Sequence, residues 1–169
     1  NSGAVFVVFG TANGTTIDLT NVSAGIGGFR ITGAIDDDAG AAVSSIGDVN
    51  GDGLADILIG APRSDSAYVV FGKADTTEID LNAVRAGIGG FHIQGQGIGD
   101  LDSMTVTGGG DLNRDGIADI VIGTPGNNDG GADGGAVYVI WGGRFTSGTV
   151  DLNLIAQGIG GAKIVGPAD

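Results

Sequence analysis

One pattern of strands and turns occurs three times along this chain of 169 residues. Its clearest element is an apolar run that ends in an aromatic residue and a glycine, and a Gly-Ile-Gly-Gly turn follows each run. The three runs lie at 5–10, 67–72 and 137–142. Because the pattern returns about every 60–70 residues and each unit holds several short strands, it predicts a β-propeller or a β-array.

The composition supports many short strands joined by glycine turns. The chain has 36 glycines, 41% hydrophobic residues and no cysteine, and it shows no Gly-x-y period, so it is neither collagen-like nor disordered. Disulfides therefore cannot stabilise it, but the absence of cysteine does not exclude a secreted protein. The net charge of −13 argues against a nucleic-acid partner, and no apolar run reaches the length of a membrane span.

Two acidic loops, 48–56 and 111–119, share the pattern D-x-N-x-D-G-x-x-D. Oxygen side chains at positions 1, 3 and 5 converge when the chain curls, and the glycine at position 6 permits the sharp turn. A ligand set of oxygens without His or Cys suits a hard cation, and Ca²⁺ more than Mg²⁺ because the protein supplies many of the ligands. The alternative is a pair of solvated turns, but two copies with the same spacing favour the metal.

The flanks of the loops distinguish them from EF-hands. An EF-hand has a helix on each side and Glu at position 12, whereas here position 12 is Ile59 or Ile122 and the flanking runs are short and β-branched. These runs predict a strand–loop–strand unit in which the Asp at position 9 closes the site. The predicted ligands of two Ca²⁺ ions are Asp48, Asn50, Asp52, the Leu54 carbonyl and Asp56, and Asp111, Asn113, Asp115, the Ile117 carbonyl and Asp119.

Each unit reads as four strands in an antiparallel sheet, which is the form of a propeller blade. The order strand, acidic loop, apolar strand, Gly-Ala-Pro at 60–62 and Tyr-Val-Val-Phe-Gly at 68–72 resembles the FG-GAP repeat. That repeat forms the calcium-binding blades of integrin α-subunits and occurs in secreted and surface proteins of bacteria. Where it would place Phe-Gly before the first strand, this chain has Ala39-Gly40 and Asp102-Ser103.

The fold class is therefore predicted as all-β, with about two and a half integrin-α-like blades. A partial blade with third and fourth strands covers 1–35, and complete blades cover 36–97 and 98–169. A segment at 82–85 is predicted to form one helical turn. Since a closed propeller needs at least four blades, the partners are the remaining blades of a longer protein, which we favour, or further copies of this chain.

The resemblance implies a non-enzymatic, extracellular or cell-surface protein that serves adhesion or protein–protein contact, with Ca²⁺ stiffening the blades. Rim contacts would come from Asp65, Asp129 and Asp133, which lie opposite the calcium loops if the analogy holds. Two alternatives are a carbohydrate-binding propeller and an accessory domain of a polysaccharide-active enzyme. His92 is the only histidine, and its place in the outermost strand favours a surface or packing role over that of a general base.

Overall fold

The computed structural model describes residues 2–10, 14, 16–97, 101–129, 131 and 134–167. These residues form twelve strands, three α-helices of five residues and a 3-10 turn at Pro62–Ser64. The strands are β1 (Ala4–Val8), β2 (Gly28–Thr32), β3 (Ala42–Gly47), β4 (Asp56–Ala61), β5 (Ser66–Val70), β6 (Ile79–Asp80), β7 (Gly90–Gln94), β8 (Thr105–Gly110), β9 (Asp119–Thr124), β10 (Ala136–Ile140), β11 (Thr149–Asp151) and β12 (Gly161–Val165). The helices are α1 (Leu19–Ser23), α2 (Leu81–Arg85) and α3 (Leu152–Ala156).

The strands form three sheets, in the orders β1-β2-β6, β11-β7-β5-β4-β3 and β12-β10-β9-β8. Within the second and third sheets, four strands pair antiparallel with their neighbours, and β1 pairs antiparallel with β2 in the first. This arrangement confirms the predicted all-β class with four-stranded blades.

The middle blade is apolar on both faces because a sheet packs against each of them. Leu58, Val69 and Ile93 lie in the cluster shared with the third sheet, whereas Ile59 and Tyr68 lie in the cluster shared with the first. All five side chains are fully buried. Burial of such a side chain stabilises the fold by about 1.5–3 kcal/mol, so packing between neighbouring blades supplies much of the core.

Short strands link each blade to the one before it. β6 pairs in parallel with β2, and β11 pairs in parallel with β7. Each then enters a helix that an aspartate caps. Asp80 accepts the N–H of Asn82 at the start of α2, and Asp151 accepts the N–H of Asn153 at the start of α3. The helical turn predicted at 82–85 is confirmed as part of α2, but the strand ahead of it was not predicted. Among the described helices, none has the length and apolar character needed to span a bilayer.

Where Phe-Gly is lacking, apolar side chains at or next to those positions pack between the blades. Ala39 is buried in the cluster between the first two sheets. At the next junction, Leu101 and Met104 are buried between the second and third sheets. Blade packing is therefore achieved without the aromatic residue of the repeat.

His92 is a buried member of the outer part of the middle blade. Its Nε2 lies 2.9 Å from the Ser66 Oγ and its Nδ1 lies 3.4 Å from the Thr149 Oγ1. Ser66 is itself buried, and its hydroxyl donates to the Ser64 carbonyl at 2.8 Å. The packing role predicted for His92 matches this position, in which β11 covers its strand.

Protonation of His92 is expected to destabilise the fold. Burial, and secondarily the positive charge of Arg85, lowers the pKa of His92 to about 4, from an unfolded value near 6.5. The unfolded chain therefore takes up the proton first, so stability falls by roughly 1–2 kcal/mol as the pH drops from about 7 to 5. Urea unfolding of wild type and His92→Gln at both pH values checks this, and an equal loss in the two proteins would contradict it.

Candidate metal centre

Both acidic loops leave their blade in the same way. A register shift follows Ser45 in β3 and Gly108 in β8, just before the loop. The last residue of each strand, Gly47 or Gly110, has a positive φ of 74° or 67°. This conformation is easily reached only by glycine, and it turns the chain out of the sheet and into the loop.

The aspartate at position 1 organises the turn. In the first loop, the Asp48 carboxylate accepts backbone N–H groups from Asp52 at 3.1 Å and Gly53 at 2.7 Å. In the second loop, the Asp111 carboxylate accepts the N–H groups of Asp115 at 3.0 Å and Gly116 at 2.9 Å. The hydrogen bond from Gly53 is the largest cause that lowers the pKa of Asp48, so this group is held as a carboxylate.

Positions 3 and 5 hold each other in place. The Asn50 Oδ1 accepts the N–H of Asp52 at 2.8 Å, and the Asn50 Nδ2 donates to the Asp52 Oδ2 at 2.9 Å. The other oxygen of Asp52 accepts the N–H of Leu54 at 2.8 Å. The second loop repeats these three bonds at 2.9, 2.9 and 3.0 Å through Asn113, Asp115 and Ile117.

The aspartate at position 9 differs from the others because it is fully buried. Asp56 accepts the N–H of Val49 at 2.9 Å with one oxygen and the N–H of Gly72 at 2.8 Å with the other. Asp119 is buried in the same way and accepts the N–H of Leu112 at 2.7 Å and the N–H of Gly142 at 3.0 Å. This carboxylate therefore fastens the loop to the residue after the third strand of its own blade.

The predicted ligands share one loop in each of the two complete blades, and most of their side-chain oxygens accept backbone N–H groups of that loop. Across the described residues, no three His, Cys, Asp or Glu side chains come together as a group ready to hold a metal ion. The donor chemistry nevertheless suits a hard cation, since a carboxylate oxygen that accepts one N–H retains a second lone pair. Burial, followed by the negative charges of Asp52 and Asp48, raises the pKa of Asp56, and a cation would relieve that repulsion.

The two loops lie side by side on one edge of neighbouring blades. The N–H of Ala118 donates to the Asp48 carbonyl at 3.2 Å, and the N–H of Gly143 donates to the Val49 carbonyl at 2.7 Å. Whatever stiffens one loop therefore acts directly on the backbone of the other.

Gly72 and Gly142 end the apolar runs of the two complete blades. They are part of the site, although the pattern of ligand residues did not reveal them. A Cβ on Gly72 would lie 2.5 Å from the Ala55 carbonyl oxygen. A Cβ on Gly142 would overlap the Ala118 carbonyl oxygen. Gly10 stands at the same place in the first unit, and among the described residues a Cβ there meets nothing within 4 Å. The threefold repetition of this glycine was the signal in the sequence.

Substitution of the glycines that pack on an acidic loop is expected to destabilise the protein more than substitution of Gly10. Gly72→Ala and Gly142→Ala should each lower the free energy of unfolding by about 2–4 kcal/mol, since backbone must shift to admit the methyl group. Gly10→Ala is the matched control and should change it by less than about 0.5 kcal/mol. Urea unfolding of the three variants measures the difference, and equal effects at all three positions would contradict the close approach.

The rim aspartates have structural roles in the described part of the chain. Asp65 accepts the N–H of Leu101 at 2.8 Å, and Asp129 forms an ion pair with Lys163. Asp133 lies outside the described residues. These contacts tie neighbouring elements together, so a rim contact through Asp65 or Asp129 stays a prediction.

The geometry defines a class of protein: repeated four-stranded blades, two of which carry an acidic loop between their first and second strands. The chain matches the FG-GAP repeat family over residues 39–79 and 104–140. Each matched segment contains one acidic loop and the strands on either side of it. These two segments are FG-GAP repeats, as the resemblance in the sequence predicted.

Two curated relatives are integrin α-chains. Integrin alpha-X of Mus musculus is 36% identical over 93 residues, which is 52% of this chain and 7% of that protein. Integrin alpha-6 of Homo sapiens is 30% identical over 97 residues, which is 56% of this chain and 8% of that protein. The chain thus spans less than a tenth of the length of either relative.

Proposed function

We propose that this chain is a calcium-binding β-propeller segment of a secreted or cell-surface protein, without enzymatic activity, that serves adhesion or protein–protein contact. The observation that carries the proposal is the repetition of one arrangement of side-chain oxygens in both loops. Seven side-chain hydrogen bonds of the first loop recur in the second, an agreement that two unrelated surface turns would not need. The similarity to integrin α-chains supports the extracellular location and the adhesive role.

The proposed ligands act as a clamp on the hairpin between the first and second strands. In the first loop, oxygens of Asp48, Asn50 and Asp52, the Leu54 carbonyl and the buried Asp56 would hold one Ca²⁺. Since hard cations take six to eight oxygens, water would complete the shell. The cation would neutralise the carboxylate cluster and fix the loop against its blade, with a second Ca²⁺ on the corresponding residues of the loop at 111–119.

The position of the loops suggests how calcium serves contact with a partner. Both loops lie at one edge of the blades. The first loop accepts a hydrogen bond from Ala118 of the second loop and another from Gly143, which follows the third strand of the last blade. Calcium there would stiffen two blades together and leave the loops at the opposite ends of the strands free to meet a protein. The partners that complete the propeller are the remaining blades of the same protein or further copies of this chain.

Calorimetric titration tests the proposal directly. Wild type should bind two Ca²⁺ ions with dissociation constants of about 10⁻⁴–10⁻³ M, the range of extracellular modules. Asp52→Asn should remove one of the two, because it replaces an exposed carboxylate of the first loop only. Titration without binding heat would contradict the calcium site, and calcium-dependent binding on a glycan array would favour the lectin alternative over protein contact.

A further inference from the structure

The two acidic loops share most of their side-chain hydrogen bonds but differ at position 4. The first loop has Gly51 there and the second has Arg114. Their φ angles are 81° and 63°, so the backbone turns the same way in both loops. Asn50 is therefore followed by a glycine, whereas Asn113 is followed by a residue with a long side chain in otherwise similar surroundings.

An asparagine followed by glycine has a chemistry of its own. The backbone nitrogen of the glycine attacks the side-chain carbonyl carbon of the asparagine, and a five-membered succinimide forms with loss of ammonia. Glycine hinders this ring closure least, because it has no side chain and the widest backbone freedom. Water then opens the ring at either carbonyl and leaves aspartate or isoaspartate. The overall reaction is the hydrolysis of one amide, and water is its only co-reactant.

The first loop holds both reacting groups in hydrogen bonds that favour the reaction. The N–H of Gly51 donates to the Asp48 Oδ1 at 2.7 Å, so a carboxylate is in place to accept the proton as the nitrogen attacks. The Asn50 Oδ1 accepts the N–H of Asp52 at 2.8 Å, which stabilises the negative charge that develops on this oxygen.

The second loop lacks the first of these hydrogen bonds. Among the described residues, Asp111 accepts the N–H groups of Asp115 and Gly116, but the N–H of Arg114 does not donate to it. The loop therefore differs from the first in the side chain at position 4 and in the acceptor for the proton of the attacking nitrogen.

The peptide between Asn50 and Gly51 is open to solvent. Gly51 and Asp52 are exposed and Asn50 is half-buried, and among the described residues a Cβ on Gly51 would meet nothing within 4 Å. The succinimide ring and the water that opens it therefore fit without displacing other groups. The loop belongs to the middle blade, which has a sheet packed on each of its faces.

We propose that Asn50 is a site of spontaneous deamidation and that Asn113 is not. The Gly51 nitrogen forms a bond to the Asn50 Cγ, and the bond between Cγ and Nδ2 breaks. The Nδ2 leaves as ammonia and takes up the proton that the Gly51 nitrogen gives up. Water adds to the succinimide and yields aspartate or isoaspartate at position 50. The proposal rests on the geometry of this loop and not on bound calcium.

The two products change the loop in different ways. Aspartate at position 50 places a fourth carboxylate in the first loop, beside Asp48, Asp52 and Asp56. Isoaspartate adds a methylene to the backbone and so displaces the N–H groups of Asp52 and Gly53, which donate to Asp48. The first loop therefore changes as the protein ages, while the second keeps its structure.

Peptide mapping by mass spectrometry tests the site after incubation in EDTA at neutral pH. The tryptic fragments 31–63 and 86–114 contain Asn50 and Asn113 as their only asparagines. Asn50 should be converted at least about tenfold faster than Asn113, and an isoaspartyl methyltransferase should label fragment 31–63. The other Asn-Gly sequence, at 13–14, falls in a different fragment. Equal rates at Asn50 and Asn113, or an Asn50 that stays intact, would overturn the proposal.

A swap at position 4 tests the physical cause. Gly51→Arg copies the second loop, which accommodates arginine at this turn, and should slow the conversion of Asn50 at least about tenfold. Arg114→Gly should speed the conversion of Asn113. Neither residue is a proposed calcium ligand, and thermal unfolding shows whether both variants remain folded. A folded Gly51→Arg protein that loses Asn50 as fast as wild type would overturn the proposal.

Calcium in the same incubation keeps the two proposals apart. An ion on the oxygens of Asp48 and Asn50 would occupy both groups that assist the reaction, so calcium should slow the conversion of Asn50 in wild type. Conversion in EDTA that calcium does not slow would contradict the calcium site and leave the deamidation site standing. Binding of two Ca²⁺ ions by a protein whose Asn50 stays intact in EDTA would overturn only the deamidation site.

Discussion

Calcium at about 5 mM should raise the melting temperature by roughly 5–15 °C over the same protein in EDTA. Two sites with dissociation constants of about 10⁻⁴–10⁻³ M stabilise the folded state by roughly 2–5 kcal/mol at that concentration. In a chain of this length, 1 kcal/mol moves the melting temperature by about 2–4 °C. Thermal unfolding followed by circular dichroism, with and without EDTA, measures the shift.

A pair of substitutions shows whether the shift arises in the loops. Asp52→Asn combined with Asp115→Asn removes one exposed carboxylate from each loop and should abolish the calcium-dependent shift. Asp102→Asn is the matched control, because it removes an exposed carboxylate near the opposite ends of the strands, and it should leave the shift intact. If chelation leaves the wild-type melt unchanged, the calcium model fails.

Removal of the buried carboxylate at position 9 should destabilise the protein even without calcium. Asp56→Ala leaves the N–H groups of Val49 and Gly72 without their acceptor in a buried place. Because hydrogen bonds to a charged group contribute about 1.5–3 kcal/mol each and unsatisfied buried donors are costly, the expected loss is about 3–5 kcal/mol. Urea unfolding in EDTA measures it.

The same measurement on Asp52→Ala separates the two roles of the acidic loop. Asp52 is exposed and bonds only within its own turn, so in EDTA its removal should cost less than about 1 kcal/mol. In calcium, both variants should lose the stabilisation from the first site. A loss for Asp56→Ala in EDTA no greater than that for Asp52→Ala would show that Asp56 does not fasten the loop to its blade.

Much of the fold was predictable because its signals are local. The period of the repeat, the apolar runs and the glycine turns identified β-blades, and each blade pairs strands that are near one another in the chain. The acidic loops were predictable for the same reason: the side-chain hydrogen bonds of Asp48, Asn50 and Asp52 reach no farther than five residues along the chain. Identification of these segments as FG-GAP repeats confirms the resemblance that this local pattern carried.

The sequence by itself determined the kind of unit, its strand order and the turn chemistry of both loops, because side-chain alternation and loop hydrogen bonds depend on neighbouring residues. Only the tertiary structure decided which sheet receives β6 and β11, that β11 would cover the strand of His92, and that Asp56 would reach Gly72. A strand of two or three residues has too few side chains to show a period, and its pairing is decided by distant contacts, such as the pairing of Ile31 with Ile79 and the hydrogen bond from Thr32 to Ile79, 47 residues along the chain.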